Sequence, residues 1–122
     1  MITHIHSATI IVADKDAAVD FYVTKLGWEK RHDDPVGEGY RFVTVAPPGS
    51  PTELVLGSAD EYPGTSGPSV NQINMNATDI DGTYAAMAER GVDIKPVETM
   101  AWGPKATWWT DPDGNTFFLI EE

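Results

Sequence analysis

Three kinds of side chain here are suited to chemistry on a small molecule, and their spacing says which chemistry. Tryptophans gather late: Trp102, Trp108 and Trp109 fall close together. Neighbours on a strand point to opposite faces, so one of Trp108 and Trp109 packs inward while the other can stack a flat or cationic ligand. Amides come second. Gln72, Asn74 and Asn76 alternate with Ile73, Met75 and Ala77, which places three amides on one face of a strand. Amides donate and accept, so that face suits a polar ligand. Histidines come third. His4 and His6 are two apart, hence on one strand face, but Ala8, Ile10 and Val12 continue that face as core, so the pair reads as edge residues. His32, beside Asp33 and Asp34, reads as part of a solvated loop. No Ser–His–Asp set can be assembled from Ser7 and these histidines, and there is no glycine-rich phosphate loop. No catalytic residue is expected.

Composition narrows the classes further. The chain has 122 residues, 41% hydrophobic and 22% charged, which fits an ordered globular domain and excludes disorder. With no cysteine, disulfide scaffolds, thiolate zinc sites and cysteine nucleophiles are excluded. Eight Lys and Arg against 19 Asp and Glu give a formal net charge of −11. That excludes nucleic acid as a partner, because phosphate binding needs clustered cations. It favours a cationic ligand over an anionic one. No apolar run approaches the roughly 18 residues that a membrane-spanning helix needs, and the first residues do not read as a secretion signal. A cytoplasmic location is the expectation.

The elements that must position these side chains come in two copies. Shifted by 65 residues, Ser7 falls on Gln72, Asp14 on Asp79, Pro47 on Pro112, Gly49 on Gly114 and Glu53 on Phe118. Each copy opens on an alternating strand, with Ala8, Ile10 and Val12 in the first and Ile73, Met75 and Ala77 in the second. A helix follows, with Asp14 or Asp16, and Asp79 or Asp81, as N-caps and Gly27 and Gly91 as terminators. Ala18, Phe21, Tyr22 and Leu26 form the buried face of the first helix; Tyr84, Met87 and Ala88 form that of the second. Strand-like runs come next at Trp28–Arg31, Tyr40–Val45 and Glu53–Leu56, then at Val92–Pro96, Ala106–Thr110 and Thr116–Ile120. The spacing predicts one α+β domain over 1–122: module one about 1–58, a linker about 59–69 and module two about 70–122. Each module is βαβββ.

Val12-Ala13-Asp14, Phe21-Tyr22, Leu26-Gly27, Arg90-Gly91-Val92 and Asp111-Pro112-Asp113-Gly114-Asn115, in that order, resemble the vicinal oxygen chelate superfamily. That group includes glyoxalase I, extradiol dioxygenases, fosfomycin-resistance thiol transferases and bleomycin-resistance proteins. The resemblance covers nearly the whole chain. It implies two βαβββ modules forming a cupped mixed sheet with helices outside, closed against a second chain as a homodimer. In the enzymes of this group four side chains, two per module, hold a divalent metal. Carried over by motif spacing, those positions are Ser7, Glu53, Gln72 and Phe118.

This donor set departs from the family pattern. It offers a hydroxyl, a carboxylate, an amide and a phenyl ring, whereas catalytic metal sites typically use three protein ligands. No metal and no cofactor are therefore expected. The closest resemblance in character is to the metal-free bleomycin-resistance proteins, through Trp102-Gly103, Asp111-Pro112 and Gly114-Asn115. The expected function is sequestration of an aromatic or cationic small molecule by Ser7, Phe42, Glu53, Gln72, Asn74, Trp102, Trp108, Trp109 and Phe118. Glu53, the lone carboxylate of the set, would pair with a ligand cation or with Arg41. The alternative is a metal-dependent, glyoxalase-like lyase or transferase with an unusual ligand set.

Overall fold

The computed structural model describes residues 1–62 and 70–122, with side chains from residue 73 onward in the second stretch. Two compact units divide the chain, Met1–Gly67 and Pro68–Glu122. The first runs β1 (Ser7–Ile11), α1 (Lys15–Asp20), β2 (Glu29–Gly37), β3 (Tyr40–Ala46) and β4 (Glu53–Gly57). The second runs β5 (Val70–Ala77), α2 (Ile80–Glu89), β6 (Asp93–Ile94), β7 (Glu98–Thr99), β8 (Lys105–Thr110) and β9 (Thr116–Glu121). Each unit builds a mixed sheet of its own. The orders are β1-β4-β3-β2 and β5-β9-β8-β6, with β7 paired to β8. The first and last strands of each module are parallel neighbours. This is an α+β fold of two tandem modules.

The helices begin and end where local chemistry dictates. Asp14 caps α1 by accepting from the Ala17 N–H at 3.0 Å, and Asp79 caps α2 from the Gly82 N–H at 3.1 Å. Each carboxylate satisfies an N–H that the helix itself leaves unpaired. After Asp20 the first helix widens into a π turn over Phe21–Lys25. Gly27 and Gly91 end the two helices at φ 72° and 81°, a left-handed conformation that side chains resist.

Period-two alternation sets the core. Ile10, Val12, Leu54, Leu56, Val43 and Val45 are buried with Ala18 and Tyr22 in the first unit. Ile80, Met87, Val92, Trp109, Phe117 and Leu119 do the same in the second. Burying such side chains stabilises by about 1.5–3 kcal/mol each. Ala88, expected on the buried face of α2, is exposed.

The clearest departure from expectation is β2, which runs on to Gly37 where a loop was expected after Arg31. It pairs with β3 through irregularities between Lys30 and His32 and between Pro35 and Gly37. In the second module the equivalent run is only two residues, followed by the separate strand β7. The expected linker lies mostly in 63–69, outside the described residues.

Candidate functional site

The polar face of the first sheet starts from its parallel pair. Ser7 on β1 is registered against Glu53 on β4, and Thr9 against Val55. Thr44 on β3 pairs with Val55 on one side and with His32 on the other. Alternation therefore puts Ser7, Glu53, Thr44, Phe42 and His32 on one face, opposite the apolar face that carries Ile10 and Leu54. Gly57 continues the Glu53 row. A Cβ there would lie 2.5 Å from the Tyr62 ring and 3.2 Å from the Thr9 methyl, so its lack of a side chain makes room for that tyrosine.

Glu53 is 9% exposed, and a carboxylate that deep requires compensation. Arg31 Nη1 lies 3.8 Å from one carboxylate oxygen and His32 Nε2 lies 3.6 Å from the other. The Arg31 contact is an ion pair, and both distances are too long for hydrogen bonds. The Arg31 guanidinium donates instead to the carbonyls of Ser50 and Pro47, fastening the β3–β4 turn. His32 Nδ1 lies 3.8 Å from Asp34, and its ring is tilted over Phe42 with centroids 5.8 Å apart. Among the described residues, Glu53 Oε1 and Thr44 Oγ1 are buried without a hydrogen-bond partner.

Two expectations are corrected here. Arg41 does not pair with Glu53; it reaches Asp33 at 2.9 Å and Asp16 at 2.8 Å. Its hydrogen bonds and charge hold both carboxyls below their ordinary range, and the two carboxylates raise Arg41 in turn. His32 is not a loop residue but a strand residue facing Glu53. Sequence reasoning missed Arg31 and His32 because β2 is polar from Glu29 to Asp34. The usable signal was the Gly37-Glu38-Gly39 turn, which folds β2 back along the recognised strand β3.

In the second sheet β8 and β9 place the aromatics. Trp108 is registered against Phe118, with ring centroids 4.8 Å apart, and Trp109 against Phe117 at 4.6 Å. Trp109 is 2% exposed and Trp108 is 39% exposed. The outward tryptophan is thus Trp108, and Trp109 belongs to the core rather than to a ligand surface. Asn74 is exposed and pairs with Phe118 across β5 and β9. Gln72 was expected at that place. The register slips by two residues between Val70 and Asn74, from Val70↔Thr116 to Asn74↔Phe118. The Gln72 side chain lies outside the described residues. Trp102 stands exposed in the turn between β7 and β8, closed by Met100 N–H to Pro104 O at 2.8 Å. Among the described residues it joins no ring pair.

His4 and His6 are exposed in the segment before β1. Among the described residues, no three His, Asp or Glu side chains gather in a way that would hold a metal ion. The Glu53 carboxylate faces a guanidinium, and Phe118 brings a ring without a donor atom. No helix is long and apolar enough to cross a membrane among the described residues.

The chain belongs to the Glyoxalase/Bleomycin resistance protein/Dioxygenase superfamily, whose family model matches residues 4–119. A superfamily member from Sphaerobacter thermophilus DSM 20745 is 49% identical, with a TM-score of 0.95 over 99% of this chain and 98% of that one. TnmS3, an antibiotic binding protein from Streptomyces sp. CB03234, is 32% identical, with a TM-score of 0.88 over 98% of this chain and 96% of that one. The uncharacterized protein YetH of Bacillus subtilis (strain 168) is 32% identical over 99% of this chain and all of its own length.

Proposed function

We propose that the chain is a metal-independent binding protein that sequesters an aromatic or cationic small molecule. The observation that carries this reading is the Trp108–Phe118 pair. A ring stands at a position where the metal-dependent relatives are expected to place a ligand atom, and a half-exposed tryptophan packs beside it. Such a pair offers a stacking surface and no Lewis acid. The likeness to an antibiotic binding protein over nearly the whole chain supports the same reading. The formal charge of −11 draws cations toward the protein at low salt. The protein acts as a homodimer in this reading, checked by sedimentation at micromolar concentration.

Tryptophan fluorescence against a panel of cationic antibiotics and planar dyes tests the binding role. Ligands should quench wild type, and Trp108→Ala should weaken binding by about 1–3 kcal/mol. Metal analysis and a chelator titration test the other half. The melting temperature should not change with chelator, since no ion contributes to the native state. Stoichiometric bound metal would instead establish a glyoxalase-like lyase or transferase.

A further inference from the structure

We propose that Glu53 and Thr44 form a subsite in the first module that takes a hydroxyl group of a small molecule, an alcohol or a phenol, and not a cation. The proposal rests on the binding role above and narrows it to hydroxylated aromatics.

Two orphaned atoms on one sheet face carry the inference. Thr44 is 0% exposed and Glu53 is 9% exposed, yet Thr44 Oγ1 and Glu53 Oε1 have no hydrogen-bond partner among the described residues. Buried polar atoms are nearly always satisfied, and one left unpaired destabilises the fold. Two on one face mark a place built for an outside group. Thr44 pairs with Val55, two residues along β4 from Glu53, so the two side chains are diagonal neighbours on the same face. Diagonal neighbours on paired strands are about 7–8 Å apart at the backbone, within reach of a common guest for a side chain as long as glutamate.

Donor and acceptor chemistry then selects the guest. A carboxylate only accepts, whereas a threonine hydroxyl accepts and also has a proton to give. A guest hydroxyl donates to Glu53 Oε1 and accepts from Thr44 through one oxygen, which satisfies both. An ammonium has donors and no acceptor, so it leaves the Thr44 proton unpaired. It would also meet like charge, because the Arg31 guanidinium already lies 3.8 Å from the other Glu53 oxygen. Arg31 cannot turn to satisfy Oε1, since its Nη atoms are committed to the Ser50 and Pro47 carbonyls. His32, 3.6 Å from Oε1 and with its ring beside Phe42, borders the oxygen that the guest would meet.

The experiment compares three probes of one shape by NMR titration of the full chain: 2-naphthol, 2-methoxynaphthalene and 2-naphthylmethylammonium. Naphthol should bind at least about tenfold more tightly than the ether or the ammonium, the scale of discrimination from one unpaired buried group. The Thr44 methyl should shift on binding. Thr44→Val should erase the preference and hold or raise the melting temperature, because it removes a hydroxyl that lacks a partner. Glu53→Leu should erase the preference as well. A fall of several degrees in Thr44→Val would show that an internal water already satisfies that hydroxyl, and would overturn the subsite. Equal affinity for the three probes, or no binding by any, would overturn it too. If cationic antibiotics still quench Trp108 in that case, the binding role stands without the subsite; if they do not, both fall.

Discussion

In the first module the last strand opens on Glu53, a buried carboxylate with a guanidinium and an imidazole beside it. In the second module the matching strand carries Phe118, a ring packed on Trp108 and flanked by an exposed asparagine. Strand order and parallel pairing are the same in both. One duplicated scaffold therefore presents two chemistries, one electrostatic and one aromatic. The difference puts a buried carboxylate flanked by cationic and imidazole groups on one sheet and a half-exposed ring pair on the other.

That division is open to attack by mutation. The largest expected effect is on the aromatic side and is structural. Trp109→Ala removes a 2%-exposed ring from the core and should cost about 3–5 kcal/mol in urea unfolding. Trp108→Ala should cost only about 1 kcal/mol, the loss of one aromatic pair at a half-exposed position. Similar costs for the two would erase the distinction between core and binding face.

Next comes the electrostatic side. Arg31→Ala removes two charge-assisted hydrogen bonds to backbone carbonyls and leaves Glu53 without its cation. A loss of about 2–3 kcal/mol is expected. Arg31→Lys should not restore it, because a single ammonium cannot bridge two carbonyls as the guanidinium fork does. Full stability in the lysine variant would show that charge alone is needed there.

The smallest expected effect concerns acid. Burial by itself would raise the Glu61 carboxyl, but the bond from Lys15 and those from Ser58 outweigh it and leave the group below its ordinary value. A lowered folded-state value contributes stability above the ordinary glutamate range, and that contribution disappears as pH falls through the depressed one. Glu61→Gln should therefore have a flatter melting curve than wild type across that acidic window. A parallel decline in the two proteins would mean the Lys15 clamp contributes nothing.

Much of this frame was legible from residues. Asp14 and Asp79 as caps, Gly27 and Gly91 as terminators, and the alternation in β5 from Ile73 to Ala77 each rest on a short-range rule, and the structure follows them. The candidate site was only half legible, and for physical reasons. Glu53, Trp108 and Phe118 came from strand patterns and motif spacing. Arg31 and His32 did not, because an outer strand with few apolar residues has no hydrophobic period to detect. The choice between Gln72 and Asn74 depended on a two-residue slip in pairing. Such a slip preserves the face of every side chain, so it leaves no trace in the alternation. Arg41 was expected beside Glu53 because it lies on a neighbouring strand, which says nothing about competition from Asp16 and Asp33.

The two irregularities in β2 have a consequence for the protein at high concentration. β2 ends its sheet, with β3 on one side and, among the described residues, no strand of that sheet on the other. A long, regular outer strand is a template on which another chain can add, the first step toward fibrous aggregates. Here the pairing breaks at Lys30/His32 and again at Pro35/Gly37, and Pro35 has no N–H to offer. Asp33, Asp34 and Lys30 add charge along the same stretch. The strand that supplies Arg31 and His32 to the site is thus also a poor seed for intermolecular sheet growth.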